Sequence, residues 1–319
     1  LIREGSLEKK DLSYMRNRSR GYKVNPGAGT NPGPGVPSDP YLFKDLLASG
    51  LGNKFSSVAA DNEFQPVGGM DQLAKAFEKQ VGRWITHNAE VLEIRQDENG
   101  VRIPYKNTRT GKVREEKADY CISTIPATII SHLPLDLSTE AKEALKAPTG
   151  FEISKLGLQM NRRFWEEDDH IYGGQGSTDT PLNGSLSYPS QGMFSDKGVL
   201  LAGYHFRGGA VKISEMTSKE RVELALKNGE MLHPGAFRKH YDNKFAYKAW
   251  HTTKYSMGGW DAFSSEARKK EYPLLLEAQG RVYFAGSFMT YKAGWLSGAI
   301  ESAWQQVARL HKDAALRTS

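Results

Sequence analysis

The chain has 319 residues, of which 43 are basic and 37 acidic, so its formal net charge is +6, and it contains one cysteine. This length can bury a large core and form two lobes. The single cysteine excludes an internal disulfide framework, and the densest basic runs, 16–20 and 268–270, lack the flanking aromatic side chains of a nucleic-acid surface. The chain has neither an apolar stretch of about 18 residues, which a membrane span requires, nor a signal-peptide pattern. We therefore expect a soluble protein that binds neither nucleic acid nor a membrane, either cytoplasmic or secreted without disulfides.

The first 62 residues are rich in proline and glycine, which punctuate the stretch too often for a long regular element. Only residues 41–51 have the pattern of a helix. Aromatic residues such as Tyr22 and Phe55 predict that the segment packs on a surface rather than acting as a flexible linker. Because the chain begins at Leu1 rather than with methionine, we interpret it as a processed or excerpted piece of a longer polypeptide.

Residues 63–130 have the order of elements found in a nucleotide-binding lobe. Apolar residues from Met70 to Val81 recur at helical spacing, a strand is predicted over 89–94, and a turn at 97–100 leads to its hairpin partner at 101–105. A further strand, 118–126, contains Cys121, which we interpret as a packing residue rather than a nucleophile. The order resembles the back half of such a lobe. No strand runs into the GxGxxG turn that would hold a pyrophosphate.

Residues 131–256 have a mixed pattern that favours an α+β substrate lobe. A helix is predicted near 138–146 and strands at 151–160 and 198–206. Thr217 and Glu220 have the spacing of a capping box, which opens a helix that Asn228-Gly229 is predicted to end.

The last part of the chain predicts a strand, a glycine-bearing loop and a helix. Residues 281–287 read as a buried strand, and Ala285-Gly286 allows the backbone to come close to a ligand. The helix predicted over 297–312 directs its first amides back at this loop. One apolar stripe of that helix is formed by Ile300, Ala303, Val307 and Leu310. The pattern indicates an anion or cofactor site, although an ordinary strand with a docking helix would produce the same pattern.

Three stretches in this order resemble the flavin-dependent amine oxidase superfamily: Gln65–Met70, Lys155 with Phe164-Trp165 after it, and the loop 285–299. The chain is most similar to the bacterial L-amino-acid oxidase and amino-acid monooxygenase branch, and the likeness includes residues 20–22 and 26–33.

The resemblance implies a two-lobed fold of α/β and α+β type, in which a partial, Rossmann-like FAD lobe is interrupted by a mixed-sheet substrate lobe. The FAD lobe would comprise 63–130 and 257–315, and the substrate lobe 1–62 and 131–256. The part of the family that carries the dinucleotide fingerprint has no counterpart in these residues. We therefore expect proteolytic processing and a hetero-oligomer with an N-terminal companion fragment that bears the fingerprint.

The resemblance also assigns catalytic roles. A lysine between apolar neighbours is costly to bury, so Lys155 either points to solvent or has a function; in the family, the lysine at this spacing holds a water at the flavin N5. Trp295 would lie against the flavin face and line the substrate slot, unless it is a core residue. The carbonyl of Gly294 would accept from the substrate amino group.

Further residues are implied to contact the cofactor or the substrate. Substrate contacts would come from Tyr188 and Tyr204, for which packing roles are equally open. Cofactor contacts would come from Val91, Thr124, Pro126, Gly286, Ser287, Gly294, Trp295, Leu296, Ser297, Gly298 and Ala299. Position 287 departs from the family, which usually has an acidic residue there.

Two kinds of attachment are not expected. In some amine oxidases a cysteine after a Gly-Gly pair binds the flavin covalently, whereas Trp260 follows Gly258-Gly259 here, so we predict non-covalent FAD. The eight histidines show no metal-ligand pattern, and no metal site is predicted.

These observations predict an FAD-dependent L-amino-acid oxidase that forms a 2-oxo acid, ammonia and hydrogen peroxide. A monoamine oxidase, or an amino-acid monooxygenase that decarboxylates its substrate, is a close alternative. A subunit that kept the fold but lost flavin is a second alternative, motivated by Ser287 and the missing fingerprint.

Overall fold

The computed structural model of the chain describes residues 66–318 except 177, 179–181 and 183. The predictions for residues 1–62, including the helix at 41–51, lie outside the described residues. Within them the α-helices are α1 (Asp71–Val81), α2 (Ala127–Ile130), α3 (Thr139–Ala144), α4 (Phe164–Glu167), α5 (Arg207–Glu215), α6 (Ser218–Leu232), α7 (Phe237–His240), α8 (Ser265–Leu276) and α9 (Leu296–Thr318). None of these helices has the length and apolar character needed to cross a membrane.

The strands in the described part of the chain belong to four sheets. In chain order they are β1 (Ala89–Val91), β2 (Arg95–Asp97), β3 (Gly100–Asn107), β4 (Val113–Ala118), β5 (Cys121–Ser123), β6 (Thr149–Gly150), β7 (Ile153–Met160), β8 (Gln175–Gly176), β9 (Leu186–Ser187), β10 (Gly198–Phe206), β11 (Tyr241–Ala249), β12 (Asp261–Ala262) and β13 (Val282–Phe284). In the first sheet β3 pairs with β1, β2 and β4, and the second has the order β11-β7-β10-β9-β8. The short pairs β12-β6 and β13-β5 complete the set, and only the latter is parallel.

The predicted C-terminal strand is confirmed and lies in the centre of a first core. Val282 and Phe284 pair in register with Cys121 and Ser123 of β5, and the strand is fully buried because its apolar residues face both sides. Besides β13 itself, the buried residues of this core come from β3, α2, the region of α3, α8 and the loop after β13, together with Ile94 and Leu135.

A second core forms around the long antiparallel pair β7 and β10. Alternation along β7 buries Leu156, Leu158 and Met160 on one face. Lys155 therefore points to the other face, where the register places it opposite Tyr204 of β10. The strand predicted at 198–206 is confirmed at both ends.

Helix α6 begins as predicted but ends later. Thr217 and Glu220 form both bonds of the capping box. The prediction that Asn228-Gly229 ends the helix is wrong, since the helix continues to Leu232. Gly229 is required for packing instead, because a Cβ there would lie 2.1 Å from the Phe237 ring.

Helix α9 packs on β13 with its polar side. Ser302 and Gln306 are buried, and the Ser302 hydroxyl accepts a hydrogen bond from the Gly286 N–H at 2.8 Å. The predicted apolar stripe does not form this contact, since Ile300 is 46% exposed and Val307 55%. We call the exposed apolar residues Leu296, Ile300, Trp304 and Val307 the outer stripe of α9. Helix α1 differs from α9 in that none of its residues is buried, and its Phe77 is exposed.

Tyr188, predicted to bind substrate, lies in a buried hydrogen-bonded chain within the second core. Its hydroxyl is 2.5 Å from Nε2 of His233, and Nδ1 of His233 is 2.7 Å from the Asp169 carboxylate. Burial, together with the Asp169 charge, raises the pKa of Tyr188 to about 12, so the hydroxyl is neutral at physiological pH.

We expect Tyr188→Phe to lower the free energy of unfolding by about 1–3 kcal/mol, because it leaves Nε2 of the buried His233 without its partner. Urea denaturation followed by circular dichroism measures the change. Tyr172→Phe, which removes a hydroxyl from an exposed tyrosine, is the matched control. Equal stabilities of the two variants would contradict the hydrogen-bonded chain.

We expect the Cys121 thiol to be unreactive in the folded chain. Burial raises its pKa from 9.0 to about 11, which lowers the thiolate fraction at pH 8 by about 100-fold. Alkylation with iodoacetamide, followed by mass spectrometry, should therefore be slow in buffer and fast in guanidinium chloride. Equal rates in the two solvents would show that β5 is not packed as described.

Candidate active site

A cavity of about 400 Å³, here called the first cavity, lies beside Lys155 of β7 and Tyr204 of β10. The loop after β13 and the segment 250–261 complete its walls. The residues that line it are Pro126, Ile153, Lys155, Tyr204, Trp250, Tyr255, Ser256, Gly258, Gly259, Trp260, Asp261, Ser287 and Gly294.

The pairing of β7 with β10 brings Lys155 and Tyr204 together. The Lys155 ammonium lies 4.7 Å from the centroid of the Tyr204 ring, which is within the range of a cation–π contact. Burial raises the pKa of the Tyr204 hydroxyl, so this ring stays neutral beneath the ammonium. The Lys155 side chain is exposed on the polar face of β7 and also lines the cavity, so its role at a cofactor stays a prediction.

Trp260 forms a flat wall of the cavity. Its ring stacks on Phe151 at a centroid distance of 5.2 Å and an interplanar angle of 23°, and its edge meets Phe206. The Trp260 carbonyl accepts a hydrogen bond from the Phe151 N–H at 2.8 Å. Backbone pairing and stacking therefore hold the indole in one orientation.

Gly294 is placed directly against this indole. Its φ of +83° is in the left-handed region, and a Cβ at this position would lie 3.1 Å from the Trp260 ring. Any larger residue would press against a ring that is already stacked on Phe151. Glycine is therefore required both for the backbone conformation and for the close approach.

Asp261 ties the Trp260 wall to the start of α2. It is 1% exposed, and its Oδ1 accepts a hydrogen bond from the Thr128 hydroxyl at 3.3 Å. Its Oδ2 has no hydrogen-bond partner among the described residues. Burial raises the pKa of this carboxyl, and hydrogen bonds from the Ala127 and Thr128 amides oppose the shift.

A second cavity, of about 600 Å³, adjoins the first, because Pro126 and Tyr255 line both. Val91 lines the second cavity together with the apolar side chains of Ile125 and Ile129. Glu90, at its edge, forms an ion pair with Lys254 at 2.9 Å. The two cavities therefore share a wall at Pro126 and Tyr255, and aliphatic side chains are more frequent in the lining of the second.

The structure brings six of the predicted residues to these cavities and leaves the others outside. Pro126, Lys155, Tyr204, Ser287 and Gly294 line the first cavity and Val91 the second.

The remaining predicted residues do not line either cavity. Tyr188 is bound to His233 in the second core. Trp295 is 66% exposed. Leu296, Ser297 and Ala299 belong to the start of α9 and line neither cavity. Gly298 is buried, and glycine is needed there because a Cβ would lie 2.6 Å from the Lys292 carbonyl oxygen. Gly286 adjoins the Thr124 backbone with a φ of +108°. The roles assigned to these residues stay predictions.

The sequence analysis missed Trp260, Trp250 and Tyr255. From the sequence, Trp260 was used only as evidence against a covalent cofactor. The signal that could have identified it is the Gly258-Gly259 pair before it, since glycines allow the backbone to come close to a ligand. Among the residues that the structure describes, no group of three histidine, cysteine or acidic side chains is arranged to hold a metal ion.

The chain is similar to L-amino-acid oxidases in sequence. It is 28% identical over 253 residues to the L-amino-acid oxidase of Siganus canaliculatus, and the aligned stretch covers 78% of this chain and 47% of that protein. It is 28% identical over 311 residues to the L-amino-acid oxidase of Demansia vestigiata, and that stretch covers 92% of this chain and 58% of that protein. The chain thus spans about half the length of these curated relatives.

Solved structures with the same fold include two amine oxidases. Wild-type putrescine oxidase bound to putrescine has a TM-score of 0.66 at 17% identity, and cyclohexylamine oxidase from Brevibacterium oxydans IH-35A a TM-score of 0.64 at 17% identity. Each likeness covers 77% of this chain and 53% of the other. The fold class predicted from the sequence is confirmed by these structures.

The family model described as "Flavin containing amine oxidoreductase" matches residues 45–311. The match includes both cavities and every predicted site residue. The chain therefore belongs to the flavin-containing amine oxidoreductase family.

Proposed function

We propose that the chain binds FAD non-covalently and, with a companion fragment, oxidises an L-amino acid to a 2-oxo acid, ammonia and hydrogen peroxide. The observation that carries this proposal is the first cavity, in which Lys155, the Trp260 wall and the bare backbone of Gly294 line one space. The L-amino-acid oxidases among the relatives support the choice of substrate.

The residues present fit a flavin. The first cavity has a volume within the range of about 300–1,000 Å³ that small-molecule sites have. Trp260 contributes an aromatic wall to the cavity, and Gly294 adds no side chain to it. The second cavity provides adjoining space for the rest of a long cofactor, and Val91 lies there, at the position predicted for the adenine end.

The proposed reaction balances without a strong protein base. The neutral amino acid gives up two electrons and two protons to become an imino acid, which water hydrolyses to the 2-oxo acid and ammonia, while oxygen takes both electrons and protons to become hydrogen peroxide. When bound, the flavin supplies the hydride acceptor for the Cα hydrogen and the electron donor for oxygen.

The chain's own residues would position and screen these reactants. Lys155 would hold a water by its ammonium, and the carbonyl of Gly294 would accept a hydrogen bond from the substrate amino group. The amides at the start of α9, near Gly298 and Ala299, would favour negative charge close to the helix terminus. Ser287 lines the cavity and can donate or accept one hydrogen bond where the family usually has an acid.

One observation favours a monoamine oxidase as the second candidate. Among the described residues that line the first cavity there is no arginine, the side chain best suited to bind a substrate carboxylate. A screen of amino acids against their decarboxylated amines separates the two candidates. An amide product with loss of carbon dioxide would instead indicate a decarboxylating monooxygenase.

The companion fragment is proposed because apolar helix faces are left uncovered. The outer stripe of α9 includes Trp304, which is 77% exposed, and α1 exposes Phe77 as well. Contiguous apolar surface of this kind is typical of an interface. A strand and helix that bear the GxGxxG turn would cover such faces and supply the hold on the FAD phosphates.

We expect Lys155→Met to slow peroxide formation from an L-amino acid by at least about 10-fold, because it removes the charged donor that would hold the water. Stopped-flow measurements separate reoxidation of the flavin by oxygen from its anaerobic reduction by the amino acid. Reoxidation should slow more than reduction. Lys117→Met, at an exposed lysine of β4, is the matched control. Unchanged turnover in Lys155→Met, with full flavin content, would refute the role of Lys155.

We expect the purified protein to contain a second polypeptide with the GxGxxG sequence, identified by intact mass and peptide sequencing. Trp304→Glu should lose both this polypeptide and the flavin absorbance, because a buried carboxylate would oppose docking. Val113→Glu, at an exposed valine of β4, should keep both. A single polypeptide with full flavin absorbance would show that no companion is needed.

A further inference from the structure

A third cavity lies at the edge of the second sheet, beside the last residues of β11. It has a volume of about 430 Å³, which is within the range of small-molecule sites. Its described lining includes three cationic side chains, those of Arg221, Lys248 and Lys254, and no acidic one. None of the residues predicted to bind cofactor or substrate lines it. The third cavity is therefore a basic site without a role in the reaction proposed above.

The guanidinium of Arg221 is held in one orientation by the protein itself. Its Nε and Nη2 donate hydrogen bonds to the carbonyls of Ile213 and Ser214, each at 2.8 Å. Its Cζ lies 4.0 Å from the centroid of the Tyr247 ring, which is a cation–π distance. Nη1 has no hydrogen-bond partner among the described residues. Because the side chain is already ordered, binding of an anion to Nη1 costs little further rotamer entropy.

Lys248 supplies a second positive charge to the third cavity. The register pairs it with Lys155 of β7, so the two ammonium groups lie on the same face of the sheet and repel each other. The Lys248 ammonium lies 5.6 Å from the centroid of the Trp250 ring. No carboxylate of the described residues is within ion-pair distance of it, whereas Lys244 and Lys254 on either side both have one. An anion beside Lys248 would therefore offset an unbalanced charge.

Lys254, the third cation, is already neutralised in part. Its ammonium forms an ion pair with Glu90 at 2.9 Å, and both residues also line the second cavity. The charges that remain for a ligand of the third cavity are those of Arg221 and Lys248. Two unpaired cations in one cavity favour a ligand with two negative charges.

The hydroxyl groups in the lining do not supply donors to such a ligand. Thr252 and Thr253 both donate to the Ala249 carbonyl, at 3.2 and 2.7 Å. The Ser214 hydroxyl donates to the Val211 carbonyl at 2.7 Å. Because these protons are engaged, the cavity recognises a ligand by its charge and not through hydroxyl donors.

We propose that the third cavity binds a phosphate group, either as the free ion or as part of a small phosphate monoester. Such a group carries about two negative charges above pH 7, which match the two unpaired cations. Its oxygens accept from the guanidinium of Arg221, and the Lys248 ammonium acts as a point charge beside it. A carboxylate would neutralise one of these cations and leave the other. The proposal depends neither on the oxidase function nor on the flavin.

Isothermal titration calorimetry at pH 8 tests the proposal on the full chain, isolated together with any partner polypeptide. Low ionic strength is used because salt screens exposed charges. Inorganic phosphate should bind with a dissociation constant below about 1 mM, and acetate at least about 10-fold more weakly. The proposal is overturned if phosphate shows no saturation at about 10 mM, or if acetate binds as tightly.

Glycerol 3-phosphate distinguishes the two sources of the phosphate group. If it binds more tightly than inorganic phosphate, the ligand is a phosphate monoester; if it binds more weakly, the ligand is the free ion. Either result supports the phosphate site. Failure of both compounds to bind would overturn it.

Variants locate the binding in the third cavity. Lys248→Met should weaken phosphate binding at least about 5-fold, because it removes one of the two unpaired cations. Lys244→Met removes the same charge from an exposed lysine of the same strand that does not line the cavity, and should leave the affinity unchanged. Arg221→Met should also weaken binding, but it removes the bonds to the Ile213 and Ser214 carbonyls as well. The Lys248 variant therefore decides the test, and equal affinities of Lys248→Met and Lys244→Met would overturn the proposal.

Discussion

The cavity depends on the close approach of the Gly294 backbone to the indole of Trp260. A Cβ at position 294 would lie 3.1 Å from a ring that is stacked on Phe151. Because interiors are packed at the density of crystals, such a ring cannot move aside cheaply. The contact therefore fixes how the loop after β13 meets the segment 250–261, and with it the width of the space in front of Lys155.

Local signals in the sequence were sufficient for the elements that depend on local energetics. The capping box of Thr217 and Glu220 is formed by residues three apart, and the alternation of β7 and β10 by neighbours along each strand. Predictions failed where a distant residue decides the outcome. Gly229 has the local signature of a helix end, but the ring of Phe237 makes it a packing glycine inside α6. The apolar stripe of α9 likewise predicts a buried face, whereas the helix packs through Ser302 and Gln306.

The candidate site shows the same division. Lys155 and Gly294 were predicted because the motifs around them resemble those of the family, and both line the first cavity. Their roles there stay predictions. Trp260 was not found, because its role depends on stacking with Phe151, a residue 109 positions earlier in the chain. Tyr188 shows the same limit, because a tyrosine beside a proline gives no sign that its hydroxyl is bonded to His233, 45 residues later.

The buried carboxyl of Asp261 explains why the two cavities share a wall. It follows Trp260 directly in the chain and accepts from Thr128, two residues after Pro126, which lines both cavities. A buried carboxyl with one oxygen unpaired is destabilising by itself, as the raised pKa of this group indicates. Its bonds to α2 nevertheless join the aromatic wall to the start of that helix. Gly150 of β6 packs against this junction, since a Cβ there would lie 3.0 Å from the Thr128 side chain and 3.2 Å from that of Asp261. A larger residue at position 150 would therefore press on the contact that joins Trp260 to α2.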